Sequence, residues 1–271
     1  MFAPIGGRKM TGISNYHTHN VLCRHASGTV ADYVAQAEKD GCSALGMSSH
    51  CPYPPGPVAD WSDSRMRESE IGIYMNQVRS AAGKVSFPVY AGFECEGAGE
   101  FESWYRDRLL GEAGADYLVL GAHWVRDGSD YIYILDVDSR GLFHKYIDQT
   151  IDAVRSGIYK FLAHPDLMMG AYRNWDDDAR AMFCALLDAA EDCGLPVEIN
   201  GNGMLRGKIM SRNGMRYMYP YDEFWDMAAE RNLTVICSSD THVPENVIKA
   251  AAMARDFAGM HGIVPAGTLA F

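Results

Sequence analysis

The chain has 271 residues, 48% of them hydrophobic and 11% aromatic, which is enough apolar material for a substantial core and excludes a disordered or fibrous protein. Lys and Arg number 24 against 35 Asp and Glu, a formal charge of −11, and that sign disfavours nucleic-acid polymers, whose binding draws on clustered cations. A small phosphorylated molecule stays compatible, because bound cations can neutralise acidic excess locally.

Residues 1–12, "MFAPIGGRKMTG", lack the apolar stretch of a secretory signal, and no run of 18 apolar residues follows anywhere. The seven cysteines form no CxxC pair. A reduced cytoplasmic setting away from membranes is expected. "ISNYHTH" reads as the first strand, and "TVADYVAQAEKDG" as a helix with Val30, Tyr33, Val34 and Ala37 on one face and Gly41 as its stop. "SALGMSSH" is a second strand, followed by the loop "CPYPPGP", where Pro52, Pro54, Pro55 and Pro57 remove backbone donors, and by a helix within residues 64–83. The alternation continues with strand "FPVYAGFE", helix 100–112, strand "YLVLGAH", helix 142–156, strand "YKFLAH" and helix 176–193. Strand "PVEIN", helix 221–231, strand "LTVICSSD" and helix 245–258 complete it. Seven strands alternating with helices indicate βαβ units and a parallel α/β architecture. No linker or repeat interrupts the pattern, so a single domain over 1–271 is expected.

Each strand delivers a metal-binding type of residue at its carboxyl end. In order these are His17 and His19, His50, Glu94, His123, His164, Glu198 with Asn200, and Asp240 with His242. The carboxyl ends of a closed parallel barrel converge on one face, so residues over two hundred positions apart can meet. Side chains at i and i+2 of a strand point the same way, so His17 and His19 project together, as do Asp240 and His242. A lone histidine beyond an apolar strand is more often a packed or loop residue than a ligand. The coincidence of seven out of nine histidines (His25 included) with two carboxylates reverses that weighting, while His144 and His261 fall outside the pattern. Imidazoles with few carboxylates and no thiolate spacing suit Zn, Fe or Mn rather than Ca or Mg. Nine such ligands exceed one tetrahedral site, and three divalent ions would account for them. A site of that kind makes hydrolysis the natural chemistry.

The segments "HTH" (17–19), His25, "SSHCP" (48–52), "GFECEG" (92–97), "GAHW" (121–124), "LAHPD" (162–166), "VEIN" (197–200) and "SSDTH" (238–242) together resemble the PHP (polymerase and histidinol phosphatase) superfamily. Within it the sequence is most similar to the free-standing histidinol-phosphate phosphatases. The resemblance covers nearly the whole chain, in order. It implies a distorted, TIM-like (β/α)7 barrel and three metal ions. One ion would be held by His17, His19, Glu94 and Asp240, a second by bridging Glu94 with His123 and His164, and a third by His25, His50 and His242.

The implied activity is hydrolysis of a phosphomonoester, L-histidinol phosphate foremost, by a metal-bridging hydroxide, with Glu94, Asp240 and His242 as catalytic residues. Asp240 or His242 is a candidate to protonate the leaving alkoxide, and since a residue engaged with metal is a poor free acid, a metal-bound water is the alternative. Arg206, six residues past Asn200, is the first candidate to grip phosphate, and Arg173, in the loop after "AHPD", the second. Glu198 and Asn200 are expected to face substrate as well. Other phosphorylated metabolites or nucleotides remain as alternative substrates. An amidohydrolase-type barrel is a further alternative, which calls for an eighth strand and does not need His25, His50 or His242. A metal-binding protein without turnover is the third.

Overall fold

The computed structural model describes residues 12–54, 64–211 and 214–271. Pro55 and Pro57 of the proline loop, the N-terminal segment 1–11 and Arg212 lie outside the described residues. Among the described residues eleven strands are formed: β1 (Ile13–Asn15), β2 (Cys42–Met47), β3 (Val89–Cys95), β4 (Tyr117–Leu120), β5 (Trp124–Asp127), β6 (Asp130–Tyr133), β7 (Phe161–Leu162), β8 (Val197–Asn200), β9 (Lys208–Ser211), β10 (Gly214–Tyr217) and β11 (Val235–Ser238). Seven of them make one sheet in the order β1-β2-β3-β4-β7-β8-β11, every neighbouring pair parallel. These are the seven strands expected from sequence, in chain order.

The sheet curls until its ends meet. Thr18 and Thr241 form a parallel bridge, the Asp240 N–H donates to His17 O at 2.8 Å and the His19 N–H to Thr241 O at 3.0 Å. Seven strands, and no eighth among the described residues, separate this distorted TIM-like barrel from the amidohydrolase pattern. The remaining strands form two antiparallel hairpins, β5–β6 and β9–β10, outside the barrel wall.

The helices are α1 (Val30–Lys39), α2 (Ile71–Ala82), α3 (Arg140–Arg155), α4 (Met169–Tyr172), α5 (Asp177–Asp192), α6 (Gly201–Leu205), α7 (Asp222–Ala229) and α8 (Lys249–Met260). The apolar face foreseen for α1 is the face it buries: Val30, Tyr33, Val34 and Ala37 are all inside. Thr29 and Asp32 close a reciprocal capping box at its start, and Gly41 follows its end with φ +77°. The helix expected over 100–112 is formed differently. A 3₁₀ turn (Gly99–Phe101) leads into a wide-turn helix, Trp104–Glu112, in which hydrogen bonds span five residues, as from Ala113 N–H to Arg108 O at 3.0 Å.

Two apolar layers hold the barrel. The larger lies between strands and helices. The smaller fills the barrel itself with Tyr16, Ala44, Tyr117, Val119, Phe161, Ala163 and Ile236. Tyr117 fits because Gly46 and Gly92 are bare: a Cβ on Gly92 would fall 2.5 Å from its ring. With its interior packed by aromatic rings, the barrel offers no pore, and chemistry is confined to its rim.

Candidate metal centre

The rim is built by residues that stand at the end of a barrel strand or just past its last paired residue. β1 ends at Asn15, so His17 and His19 follow on extended chain that is still tied to neighbours through Thr18. Glu94 lies inside β3, and a bridge from His50 to Glu94 carries the β2 chain onto it. His164 and Asp240 take up left-handed backbone, φ +30° and +48°, in which non-glycine residues are strained. Such strain costs on the order of 1–3 kcal/mol and persists where surrounding structure enforces it, characteristically at functional sites.

Glu94 is buried at the centre. Its Oε1 lies 3.3 Å from His17 Nε2, 3.1 Å from His164 Nε2 and 3.5 Å from His123 Nε2, while its Oε2 lies 2.8 Å from His50 Nδ1 and 3.4 Å from His19 Nε2. Asp240 Oδ1 stands 2.9 Å from His19 Nε2 and 3.5 Å from His17 Nε2. The rings of His25 and His242 complete the group. His242 stacks on His19 with centroids 4.2 Å apart, and His25 lies 4.6 Å from His242 and 5.3 Å from His50. All nine sequence candidates for metal ligation therefore share one patch. His144 and His261 sit elsewhere, paired with Asp178 at 2.9 Å and Asp226 at 2.7 Å.

Room for Glu94 comes from Gly121, whose Cβ would fall 2.4 Å from Oε1. The imidazoles are aimed by acceptors behind them. His17 Nδ1–H donates to Glu198 and His123 Nδ1–H to Glu96, both at 2.9 Å. His25 Nδ1–H donates to Cys23 O at 2.7 Å and His242 Nδ1–H to Asp240 O at 3.1 Å. His19 Nδ1 lies 3.4 Å from Cys23 Sγ. These contacts turn the other ring nitrogens toward the shared space, the arrangement typical of metal-binding histidines.

Of the four expected substrate contacts, the structure brings one, Arg206, to the cavity. Glu198 and Asn200 do not line the cavity. Glu198 is fully buried beneath His17 and also accepts from the His164 N–H and from Asn200 Nδ2; Asn200 donates to Glu198 at 2.9 Å and Asp240 at 3.1 Å while its Oδ1 caps α6. Both side chains are buried at the strand end, where they hold the neighbouring rim residues His17, His164 and Asp240. Sequence reading passed over Glu96, although it stands two residues after Glu94 and the period of two already places both on one face. It also passed over Arg65, Tyr133 and Tyr219, which lie in connections or hairpins and carry no motif.

A cavity of about 320 Å³ opens above the patch. His25, His50, His123, His164, Asp240 and His242 form its floor side, with Arg65, Trp124, Tyr133, Asp136, Leu167, Asn202, Arg206 and Tyr219 completing the wall. Arg206 thus faces it as expected from its place after β8. Arg173 does not: it lines a separate depression with Leu135, Asp138 and Tyr172, because α4 ends at Tyr172 and Arg173 turns away in left-handed backbone, φ +62°.

The electrostatics fit a cation site. Burial alone would raise the Glu94 and Asp240 carboxyls, yet the imidazoles around them, His17 foremost, hold both well below the usual range. His242 is pushed down to about 3 by burial and by neighbouring His19, and burial likewise lowers His50 and His25. Against the effect of burial, acidic neighbours raise His17 and His123, and His19 rises to about 9 beside Cys23 and Asp240, so metal binding would displace protons from these three, since neutral imidazoles and ionised carboxylates are the forms that bind metal. Buried Nε2 atoms of His17 and His19, Nδ1 of His50 and Oε2 of Glu94 have no hydrogen-bond partner, although they crowd within 4 Å of one another's groups. Orphaned buried polar atoms are costly. Three sets among them could each hold an ion: His19, His50 and His242; His17, His19 and Asp240; and His50, Glu94 and His123.

Comparison with known proteins agrees with this architecture. A protein from Deinococcus radiodurans named a probable histidinol-phosphatase is 28% identical over 247 residues, covering 88% of this chain and 89% of its own. Histidinol-phosphatase of Bacillus subtilis is 21% identical, covering 83% of this chain and 92% of its own. The crystal structure of histidinol phosphate phosphatase from Lactococcus lactis, complexed with Zn, L-histidinol and phosphate, has a TM-score of 0.69 at 15% identity, over 94% of this chain and 95% of that one. The PHP domain model matches residues 15–202, more than half of the sequence, and the chain belongs to the PHP domain family.

Proposed function

We propose that the protein is a metal-dependent phosphomonoester hydrolase that converts L-histidinol phosphate and water to L-histidinol and phosphate. One observation carries the reading: a buried carboxylate, Glu94, lies within 3.5 Å of five imidazoles, three of which, His50, His123 and His164, line a cavity sized for a small molecule. Its proposed ligand sets are His17, His19, Glu94 and Asp240 for one ion, Glu94, His123 and His164 for a second, and His25, His50 and His242 for a third. Zn, Fe or Mn held by these donors would supply a strong oxygen nucleophile near neutral pH and neutralise charge on the phosphoryl oxygens.

The chain's own side chains do the rest. Glu198 and Glu96 keep the rings of His17 and His123 turned inward. Arg206, exposed at the end of α6, takes a phosphoryl oxygen as charge develops there. Asp240, held ionised, and His242, held neutral, line the cavity and serve there as ligands, so the proton for the leaving alkoxide would come from water at the site. Trp124, Tyr133 and Tyr219 wall the organic part of the substrate. The histidinol-phosphatase names of two relatives and the ligands of the Lactococcus lactis structure support this choice of substrate.

The test is a phosphate-release screen on metal-loaded protein with histidinol phosphate, sugar phosphates and nucleotides. Histidinol phosphate is expected to be turned over fastest; preference for another ester would move the substrate, and release from none would refute the reading. Arg206→Ala is expected to raise KM about tenfold with metal content unchanged, the loss of one charged hydrogen bond. A normal KM would assign the phosphate to other residues.

A further inference from the structure

A second arginine reaches the cavity from a connection with no motif. Arg65 lies between β2 and α2 and lines the wall beside His50 and His123. It is only 4% exposed, a rare state for a guanidinium unless its charge is compensated. Compensation is present: the Glu96 carboxylate pairs with it, and its guanidinium stands 5.1 Å from the centre of the Tyr53 ring. The same carboxylate accepts the His123 Nδ1–H and backbone N–H at 2.9 Å each. One acidic group therefore fixes both an imidazole and an arginine of the cavity.

A structural ion pair would account for the burial but not for its place. Such pairs are poor stabilisers compared with apolar packing, so stability alone does not explain a guanidinium on the wall of the cavity. Held by a carboxylate and an aromatic face, this planar cation meets an incoming oxyanion without the ordering cost that a mobile surface arginine bears. Arg206 is the contrasting case, exposed and carried on a short helix end.

We propose that Arg65 contacts substrate: it grips a terminal phosphoryl oxygen from the His50 and His123 wall while Arg206 approaches from α6, and the two together favour phosphate monoesters over diesters. The inference rests on the phosphoester reading above. A monoester has three terminal oxygens and a diester two. Once cations occupy two of these, only a monoester has a further oxygen for the buried arginine.

Arg65→Lys keeps a cation beside Glu96 but removes the planar fork. At saturating metal, with ions per chain counted, kcat/KM for histidinol phosphate and the inhibition constant of inorganic phosphate are measured, together with turnover of bis-p-nitrophenyl phosphate. Calorimetric binding of phosphate to the metal-loaded variant serves when turnover is too slow. Monoester kcat/KM and phosphate affinity are expected to fall about 10- to 100-fold, with metal content and diester turnover near wild type. Unchanged phosphate affinity in the fully loaded variant overturns the inference. So does an equal loss on both ester classes that follows lost metal and is restored by excess metal, since Arg65 would then act only through His123. Wild-type protein that holds its ions yet neither binds phosphate nor cleaves monoesters refutes the functional reading itself, whereas an active wild type with an indifferent Arg65→Lys refutes only this step.

Discussion

Gly121 matters for the Cβ it lacks. Adding one would place carbon 2.4 Å from Glu94 Oε1 and 2.5 Å from its Cγ, so Gly121→Ala must displace the carboxylate that five imidazoles surround. Its expected outcome is lost metal in a folded barrel, with overpacking costing about 1–3 kcal/mol, read from ions per chain beside thermal unfolding. Wild-type metal content in this variant would mean that Glu94 is free to move without consequence. Glu94→Ala is expected to abolish turnover and to lower metal content, because its two oxygens face different imidazoles; unchanged stoichiometry and rate would contradict its central place. Glu198→Gln leaves shape intact but weakens the acceptor behind His17 Nδ1, and metal affinity is expected to drop about 10- to 100-fold. Competition with a chromophoric chelator checks this, and equal affinity would show that His17 needs no support.

At the scale of elements, α1 carries the loop with His25 into the barrel wall, and its start is fixed by a capping box. Thr29→Ala is expected to cost about 1 kcal/mol in denaturant unfolding, with little effect on turnover. Hydrogen bonds from the Thr29 backbone and hydroxyl hold the Asp32 carboxyl below its ordinary 3.8. A depressed folded value means stability present above the unfolded value and lost as pH falls through the folded one. The difference in stability between wild type and Asp32→Asn should therefore be full at pH 6 and close as pH drops below about 3.8, whereas a constant difference would deny the carboxylate its part. The seven barrel strands were legible because both of their faces are buried, which leaves continuous apolar runs bounded by turns. The two hairpins were not, since β5–β6 and β9–β10 lie outside the barrel and mix polar with apolar residues. Their turn signals were nevertheless present: Asp127-Gly128 and Asn213-Gly214 are strong hairpin dipeptides, and both glycines have positive φ. Sequence also gathered the candidate ligands onto one rim, because most stand at or just past strand ends, but it could not tell a side chain facing the cavity from one beneath it. Glu198 and Asp240 differ in that respect only through barrel closure.

Across the whole molecule, the centre exists because the first and last strands meet. His17 and Asp240 are 223 positions apart, yet a backbone hydrogen bond of 2.8 Å joins them, and the aromatic filling of the barrel holds that closure from below. Phe161→Ala, which empties part of this filling, is expected to cost about 3–5 kcal/mol and to loosen metal binding only as the barrel unfolds. Metal lost well before the unfolding transition would show that rim and interior are uncoupled. Imidazoles from every part of the barrel converge with Glu94 and Asp240, and together they are expected to grip several cations. Titrating metal-free protein with Zn or Mn and counting the ions bound per chain tests it most directly. Three tightly bound ions are expected, and a chain that binds one or none would contradict the account.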